Sequence, residues 1–505
     1  MTAITYKKGA AFSVLFTVAG KFFSFISSLL LAYYFGADSA TDIYFYLILI
    51  SALLNGYLQG INTGVVVPEF MHINKKDHLK AADFVNYFLY IYVFTAAILV
   101  AVCFILPRQS LAFLSAFDAA AIEQSARFMG LSALYFSSFF IMTFLISVAE
   151  CFKLFSIYIL SPLNSLLPLL LLFLTRRLDA MFIGYILAYV VQIAACLILL
   201  KQKQGWSFKF KKPELGKKFK QNLLFFQPIN TAWAAVLYAP LFMVSAASAG
   251  MVSAVNYARM LSDSPSDIFV LKVQNVSKVK MTAQAADNDW PAIKNTLVRT
   301  DIVLMFLLLP FCIFTSVFAF DIVKMFFMRG SFTLQATYDT AVFLSLFILS
   351  VPLYSVNTNI FNLFSAVRLV KEITLRYFIF TVIFIFLFAV AIKAFGPFAY
   401  PAVFLLLYLS RTGLNIYTAR QYCPQTDYSA HILYLARMAT ICFACAFATR
   451  YIFAFYQGNV FLKLFINGAF FVSLNGAVFW LNGDLRKFIE ALNIKENRLL
   501  KFLGQ

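Results

Sequence analysis

The sequence predicts an all-α, polytopic membrane protein: about 14 transmembrane helices in two six-helix lobes, plus two C-terminal helices. Three observations predict it. Of 505 residues, 62% are hydrophobic and only 12% charged, with a mean hydropathy of +0.82, whereas a soluble domain is roughly 45–50% apolar and about 25% charged. One crossing consumes about 20 apolar residues, so the apolar content supplies about 14 crossings. A basic stretch at 201–220 (KQKQGWSFKFKKPELGKKFK) then divides the apolar runs into six before it and eight after.

Taken in order, the runs bounded by charges and turn residues are 9–35, 42–70, 81–106, 125–149, 154–174 and 179–200. Beyond the basic stretch come 221–247, 250–277, 297–320, 338–364, 374–393 and 396–419, followed by 430–453 and 460–482. Lys7 and Lys8 precede the first run without an A-x-A-like cleavage site, so it reads as a span and not a cleaved signal. The turns at 149–154, 174–179 and 247–250 are very short. This gives an N-terminal lobe over 1–200, a cytoplasmic linker over 201–220, a C-terminal lobe over 221–420, and two extra helices with a tail over 421–505. In the tail, Leu485, Phe488, Ile489, Leu492, Leu499, Leu500 and Leu503 recur among cations, which predicts an amphipathic helix on the inner surface.

The net charge of +19 would suggest nucleic acid in a soluble chain. Here the positive-inside rule accounts for it. With the N-terminus inside, the inner segments hold 27 Lys and Arg against nine outside, which places both termini in the cytoplasm. Arg176-Arg177 is the local exception. The basic linker reads as a topology determinant lying against anionic headgroups, not as a partner-binding segment.

Two landmarks repeat. The corner FGADSAT (35–41) matches SAGMVSA (248–254) at an offset of about 214, and Lys153 matches Arg368 at 215. Such an offset predicts two lobes of like orientation, a common transporter plan.

Enzymatic motifs are missing. The chain has no G-x-x-x-x-G-K-[ST] loop, no H-E-x-x-H and no G-x-S-x-G. His72, His78 and His431 read as solvated loop residues, and no metal site or cofactor is expected. Cys442 and Cys445 form a C-x-x-C inside an apolar helix, which reads as small core residues; the seven cysteines are scattered.

Polar residues inside the runs form stripes. Lys21, Ser24 and Ser28 share a face of the first span; Ser51, Asn55, Gln59 and Asn62 share one of the second. On the eighth, Asn256, Arg259, Asp263, Asp267 and Gln274 lie within about 60° of a common line. A charge in hydrocarbon costs at least about 3 kcal/mol, so these faces are expected to look into a bundle or a hydrated cavity. Arg259 and Asp263, spaced i, i+4, are also suited to pair with each other. Asp42 is placed either to cap the second span or to pair with a cation, Arg259 being the candidate.

At these residues the chain resembles the MurJ (MviN) lipid II flippases of the multidrug/oligosaccharidyl-lipid/polysaccharide exporter superfamily. FGADSATDIYF (35–45), VNYARMLSDSP (255–265) and FFMRGSFT (326–333) carry the resemblance, and the span plan extends it over the whole chain. The resemblance implies alternating access, in which a polyprenyl-diphosphate glycan headgroup crosses while its lipid tail stays in the bilayer. It also implies residue roles. Lys21 stands at a cavity arginine, Asn55 and Ser27 where further cavity arginines occur, Asp42 at the outer-gate carboxylate, and Asp263 at a glutamate whose neighbouring arginine is displaced by one residue to Arg259. Substrate binding is thus expected of Lys21, Asn55 and Arg259, and gating of Asp42 and Asp263. Partners would be the lipid-linked glycan, membrane lipids and a coupling ion, with no nucleic acid, in a bacterial inner membrane.

Two other functions compete. An ion-coupled multidrug exporter would call for an acidic first span, yet 9–35 holds Lys21 and no carboxylate. An integral-membrane glycosyltransferase or ligase would need a large outer loop with acid–base groups, and 107–124 offers only Asp118 and Glu123.

Overall fold

The structure is a computed structural model that describes residues 6–492 except 153, 214, 427 and 457. Lys153 and the tail beyond Leu492 therefore lie outside the described residues. So do the chain ends on which the cytoplasmic placement of both termini bears. No strand occurs among the described residues. The chain gathers into two compact units. The first is built on the chain up to Ser253, with Arg329–Phe332 and Phe380–Ala389; the second is built on Ala254–Met328, Thr333–Ile379 and the chain from Val390 on.

The first unit begins with α1 (Tyr6–Phe35) and α2 (Ser39–Ile61), the latter running through a π-helical turn (Asn62–Val66) into α3 (Val67–Asn74). Pro68 sits at the start of α3, and a residue without an N–H loosens the helical ladder into such a turn. Next come α4 (His78–Ile105), the short α5 (Pro107–Leu114) and α6 (Ala119–Ser125), and α7 (Arg127–Cys151). A 3₁₀ turn (Phe155–Leu160) leads to α8 (Leu163–Thr175), α9 (Leu178–Gln204) and α10 (Lys217–Ser245). The very short turns of the sequence are thus present. At one of them Arg176 takes a left-handed conformation, φ 53°.

One end of this unit is an aromatic core of Phe70, Phe84, Phe144, Trp206 and Phe219, all buried. It fixes the basic linker. Trp206 Nε1 donates to Asn86 Oδ1 at 2.9 Å, and Asn86 Nδ2 donates to the carbonyls of Ser207 (2.7 Å) and Lys209 (3.0 Å). The linker is therefore tied to α4 as well as carrying charge. Sequence reading missed this, because Trp206 looked like one aromatic among many.

The second unit contains α11 (Met251–Pro265), whose first turn belongs to the first unit, a π-helical turn (Ser266–Val270) and α12 (Leu271–Ala286). There follow α13 (Trp290–Val317), α14 (Ala319–Phe327), α15 (Leu334–Ala366), α16 (Val370–Phe395), whose residues Phe380–Ala389 belong to the first unit, and α17 (Ala399–Tyr422). Last come α18 (Ser429–Ile452), α19 (Val460–Leu481) and α20 (Asp484–Ala491). Asn357 organises its interior: its amide donates to Thr412 Oγ1 (2.9 Å) and the Tyr408 carbonyl (3.0 Å), and its oxygen accepts from Asn415 (2.6 Å). Buried amides so completely paired specify one arrangement of α15 and α17.

Ten helices among the described residues are long and apolar enough to cross a membrane; Ala19–Phe35 and Thr231–Ser245 are shorter apolar stretches. The four expected spans outside the ten are 9–35, 221–247, 250–277 and 396–419. In two of them polar residues lower the hydropathy, Arg259, Asp263 and Asp267 in α11 and the π turn and Arg411 and Asn415 in α17, while 9–35 and 221–247 are described only in part. The tail is described as far as Leu492. Over α20 it docks on protein: Asp484 is wholly buried and bonded to Arg437, and Phe488 stacks on Phe306 with ring centres 4.2 Å apart.

Candidate functional site

Three chain segments meet at one end of the first unit. All three come from motifs singled out in the sequence, the first two being the corner between α1 and α2 (Gly36 to Asp42) and Arg329–Phe332. The third is the corner between α10 and α11. Asp38 makes the first corner rigid, capping α2 by accepting from Thr41 N–H at 2.8 Å while Thr41 Oγ1 accepts from Asp38 N–H at 2.9 Å. That leaves Asp42 free of the capping duty the sequence allowed it. Its carboxylate instead caps the neighbouring helix α11: Oδ2 accepts Gly250 N–H at 2.7 Å, and Oδ1 accepts Ser253 N–H (2.7 Å) and the Ser253 hydroxyl (2.6 Å). Only 2% of Asp42 is exposed. The first-turn amides of a helix lack intrahelical partners and carry partial positive charge, so an anion there is well placed.

Arg329–Phe332 closes the cluster backbone to backbone. Ser331 N–H donates to the Tyr33 carbonyl (2.9 Å) and its hydroxyl to that of Tyr34 (3.1 Å). This approach requires glycine on both sides. A Cβ on Gly36 would lie 2.3 Å from the Ser331 carbonyl oxygen, and one on Gly330 would lie 2.3 Å from that of Tyr33. Both residues have positive φ, 65° and 60°. Gly250, at the offset of 214 from Gly36, is left-handed too, φ 92°, so the repeat seen in the sequence corresponds to a shared backbone corner. We call this cluster the latch.

The polar stripes go to different places. Lys21 is exposed on α1. The stripe on α2 faces the bundle and not a cavity: Asn55 Oδ1 accepts from Thr143 (3.0 Å), Gln59 donates to Ser147 (2.7 Å), and Asn62 accepts from Tyr92 (2.7 Å). On α11, Arg259 lies 3.4 Å from Asp263 and donates to the Tyr400 hydroxyl at 3.3 Å, its guanidinium over the rings of Phe404 (5.2 Å) and Phe347 (5.8 Å). Stacked cation and carboxylate thus neutralise each other, with Asp263 half exposed. Asp42 and Arg259 thus each have a partner of their own, the carboxylate a helix terminus and the guanidinium its i+4 neighbour. Gln274 leaves the stripe altogether and donates to Ser355 on α15 (2.7 Å to the carbonyl).

His72 and His78 are exposed, as expected, but they lie in the last turn of α3 and at the start of α4, not in a loop. His431 is not. It is 8% exposed, 3.8 Å from the wholly buried Asp301 carboxylate. No cluster of three or more His, Cys, Asp or Glu able to hold a metal occurs among the described residues. Cys442 and Cys445 are buried free thiols of α18. Asp118 caps α6 through Ala121 N–H (2.7 Å), and Glu123 pairs with Arg108.

A family model described as lipid II flippase MurJ matches residues 31–471. The probable lipid II flippase MurJ of Borreliella burgdorferi is 24% identical over 366 residues, 68% of this chain and 70% of that protein. The solved structure of a lipid II flippase MurJ in an inward closed conformation aligns with a TM-score of 0.75 at 14% identity, covering 92% of this chain and 99% of that one. An inward-facing multidrug resistance MATE family transporter of the MOP superfamily aligns at 0.58 and 12% identity, covering 83% and 96%. At such identities the two structural likenesses speak to fold.

Proposed function

Because this chain belongs to the lipid II flippase MurJ family, we propose that its described geometry serves the passage of a lipid-linked glycan through alternating access. The chain is a multi-pass protein of the bacterial inner membrane, a transporter and not an enzyme, and it flips lipid II in cell wall biogenesis. The observation that carries this is the family match across residues 31–471.

The residue roles follow from chemistry. Lys21, exposed on α1, offers a cation to the diphosphate. Arg259 does so by exchanging Asp263 for phosphate oxygens, which a guanidinium grips in bidentate fashion. Asp263 is then a gating group that keeps Arg259 neutralised until substrate arrives. Asn55 contributes when it gives up Thr143 for the headgroup. The latch is the outer gate in its closed state, with Asp42 as the bolt. Both termini lie in the cytoplasm, as the 27-to-nine charge distribution supports. An ion gradient supplies the direction.

Two experiments test this. Expression in a bacterium depleted of its own flippase should restore growth. The purified chain in vesicles should carry fluorescent lipid II between leaflets. Failure of both would overturn the reading.

A further inference from the structure

The second unit holds a buried acid–base pair that none of the roles above uses. Asp301, one-third of the way along α13, is 0% exposed. Its Oδ1 accepts from Asn359 Nδ2 of α15 at 2.9 Å, and the same amide reaches the Leu297 carbonyl at 3.0 Å. Its Oδ2 has no hydrogen-bond partner, nor has His431 Nε2 of α18, 3.8 Å away, nor Asn359 Oδ1. Three orphaned polar atoms in one cluster stand out, because nearly all buried polar groups are paired.

Proton arithmetic explains the cluster. With no proton beyond those of neutral histidine, the pair carries a full negative charge in a buried site with one hydrogen bond to support it. One added proton makes the pair neutral overall, whether it sits on Asp301 Oδ2 or on His431 Nε2. Aromatic and charged groups surround the pair. The ring of Tyr428 meets His431 edge-on, and that of Tyr434 stacks on it. Lys487 of α20 lies 4.6 Å from the Tyr434 ring centre, and Arg437 of α18 is bonded to Asp484. From α12, α13 meets the Ser277 hydroxyl (2.9 Å from Thr300) and Gln284, while Lys278 and Lys280 are exposed.

We propose that Asp301 and His431 form a proton-binding site through which a proton gradient drives transport, an inference that rests on the flippase reading for its coupling and not for its chemistry. Once the two side chains close from 3.8 Å to hydrogen-bonding distance, the carboxyl O–H bond breaks as the proton passes to His431 Nε2, and the imidazolium returns it to water when the site opens. Binding runs the same steps in reverse, and no other reactant is consumed.

The test uses the full-length chain in lipid II vesicles, wild type and Asp301→Asn, with His431→Gln as a second variant should the first not fold. Infrared difference spectra across pH should show a buried carboxylic C=O band that Asp301→Asn removes and His431→Gln shifts. An imposed gradient of one pH unit should bias wild-type lipid II distribution up to about tenfold, and neither variant should respond. A band or a pH response that persists in Asp301→Asn overturns the proposal, as does a response to sodium alone. If wild type carries no lipid II at all, the flippase reading fails while the infrared band still decides the proton site.

Discussion

The carboxylate of Asp42 in α2 accepts the backbone N–H of Ser253 in α11 at 2.7 Å, across 211 residues of chain. A helix start is thereby completed by a side chain from another helix. Anything that separates the two corners leaves the first turn of α11 without its cap.

Asp42→Asn should weaken the latch without unfolding the protein, because one amide oxygen replaces two anionic ones. Loss of a cap costs about 1 kcal/mol, and about 1.4 kcal/mol shifts a two-state population tenfold. A cysteine at Ser331 should gain maleimide reactivity severalfold, with thermal unfolding in detergent nearly unchanged. Unaltered reactivity would remove Asp42 from the latch.

Since Asp42 and Arg259 have different partners, Asp42→Asn and Arg259→Gln should combine additively in transport, within about 0.5 kcal/mol. A double variant no worse than either single one would restore a direct pair.

Gly36→Ala and Gly330→Ala should each abolish complementation while the protein still accumulates. Each adds a methyl 2.3 Å from a carbonyl oxygen on top of left-handed strain of about 1–2 kcal/mol. Gly205→Ala is the control: φ is 61° and ψ 26°, the same left-handed region, and nothing lies within 4 Å of the new Cβ. It should lose only the strain and still support growth.

Lys21→Ala should stop lipid II movement in vesicles, and Lys21→Arg should retain it, since both charge and reach persist. Normal transport by the alanine variant would remove Lys21 from the substrate path.

Arg437→Met strands the wholly buried Asp484. Because Arg437 is half exposed, the expected loss is about 1–3 kcal/mol, below that of a fully buried pair. Trypsin should then cut faster at Arg486 and Lys487, and adding Asp484→Asn should recover most of the protection. Unchanged cleavage in Arg437→Met would mean that α20 docks through Phe488 alone.

Local features were readable from sequence. The Arg259–Asp263 pair follows from i, i+4 spacing, and the shared corner of Gly36 and Gly250 from a repeat of small residues. Long-range ones were not. Periodicity gives the face on which Asn55 and Gln59 lie but not that Thr143 and Ser147 stand opposite. His431 and Asp301 are 130 positions apart in chains of apolar residues, and neither carries a motif. The π turn at Ser266–Val270 changes the angle per residue, so a stripe drawn at 100° loses register and Gln274 points at α15. Helix capping across the fold, as by Asp42, has no local signal.

The latch is made almost wholly of amides, carbonyls and one enclosed carboxylate. Mobile ions screen exposed charge pairs over about 10 Å at 0.1 M ionic strength but act weakly on groups they cannot approach. Its grip is therefore indifferent to salinity, in contrast to closure by surface ion pairs, which would slacken in brine and tighten in fresh water. The corners it joins are therefore expected to keep the same arrangement in both.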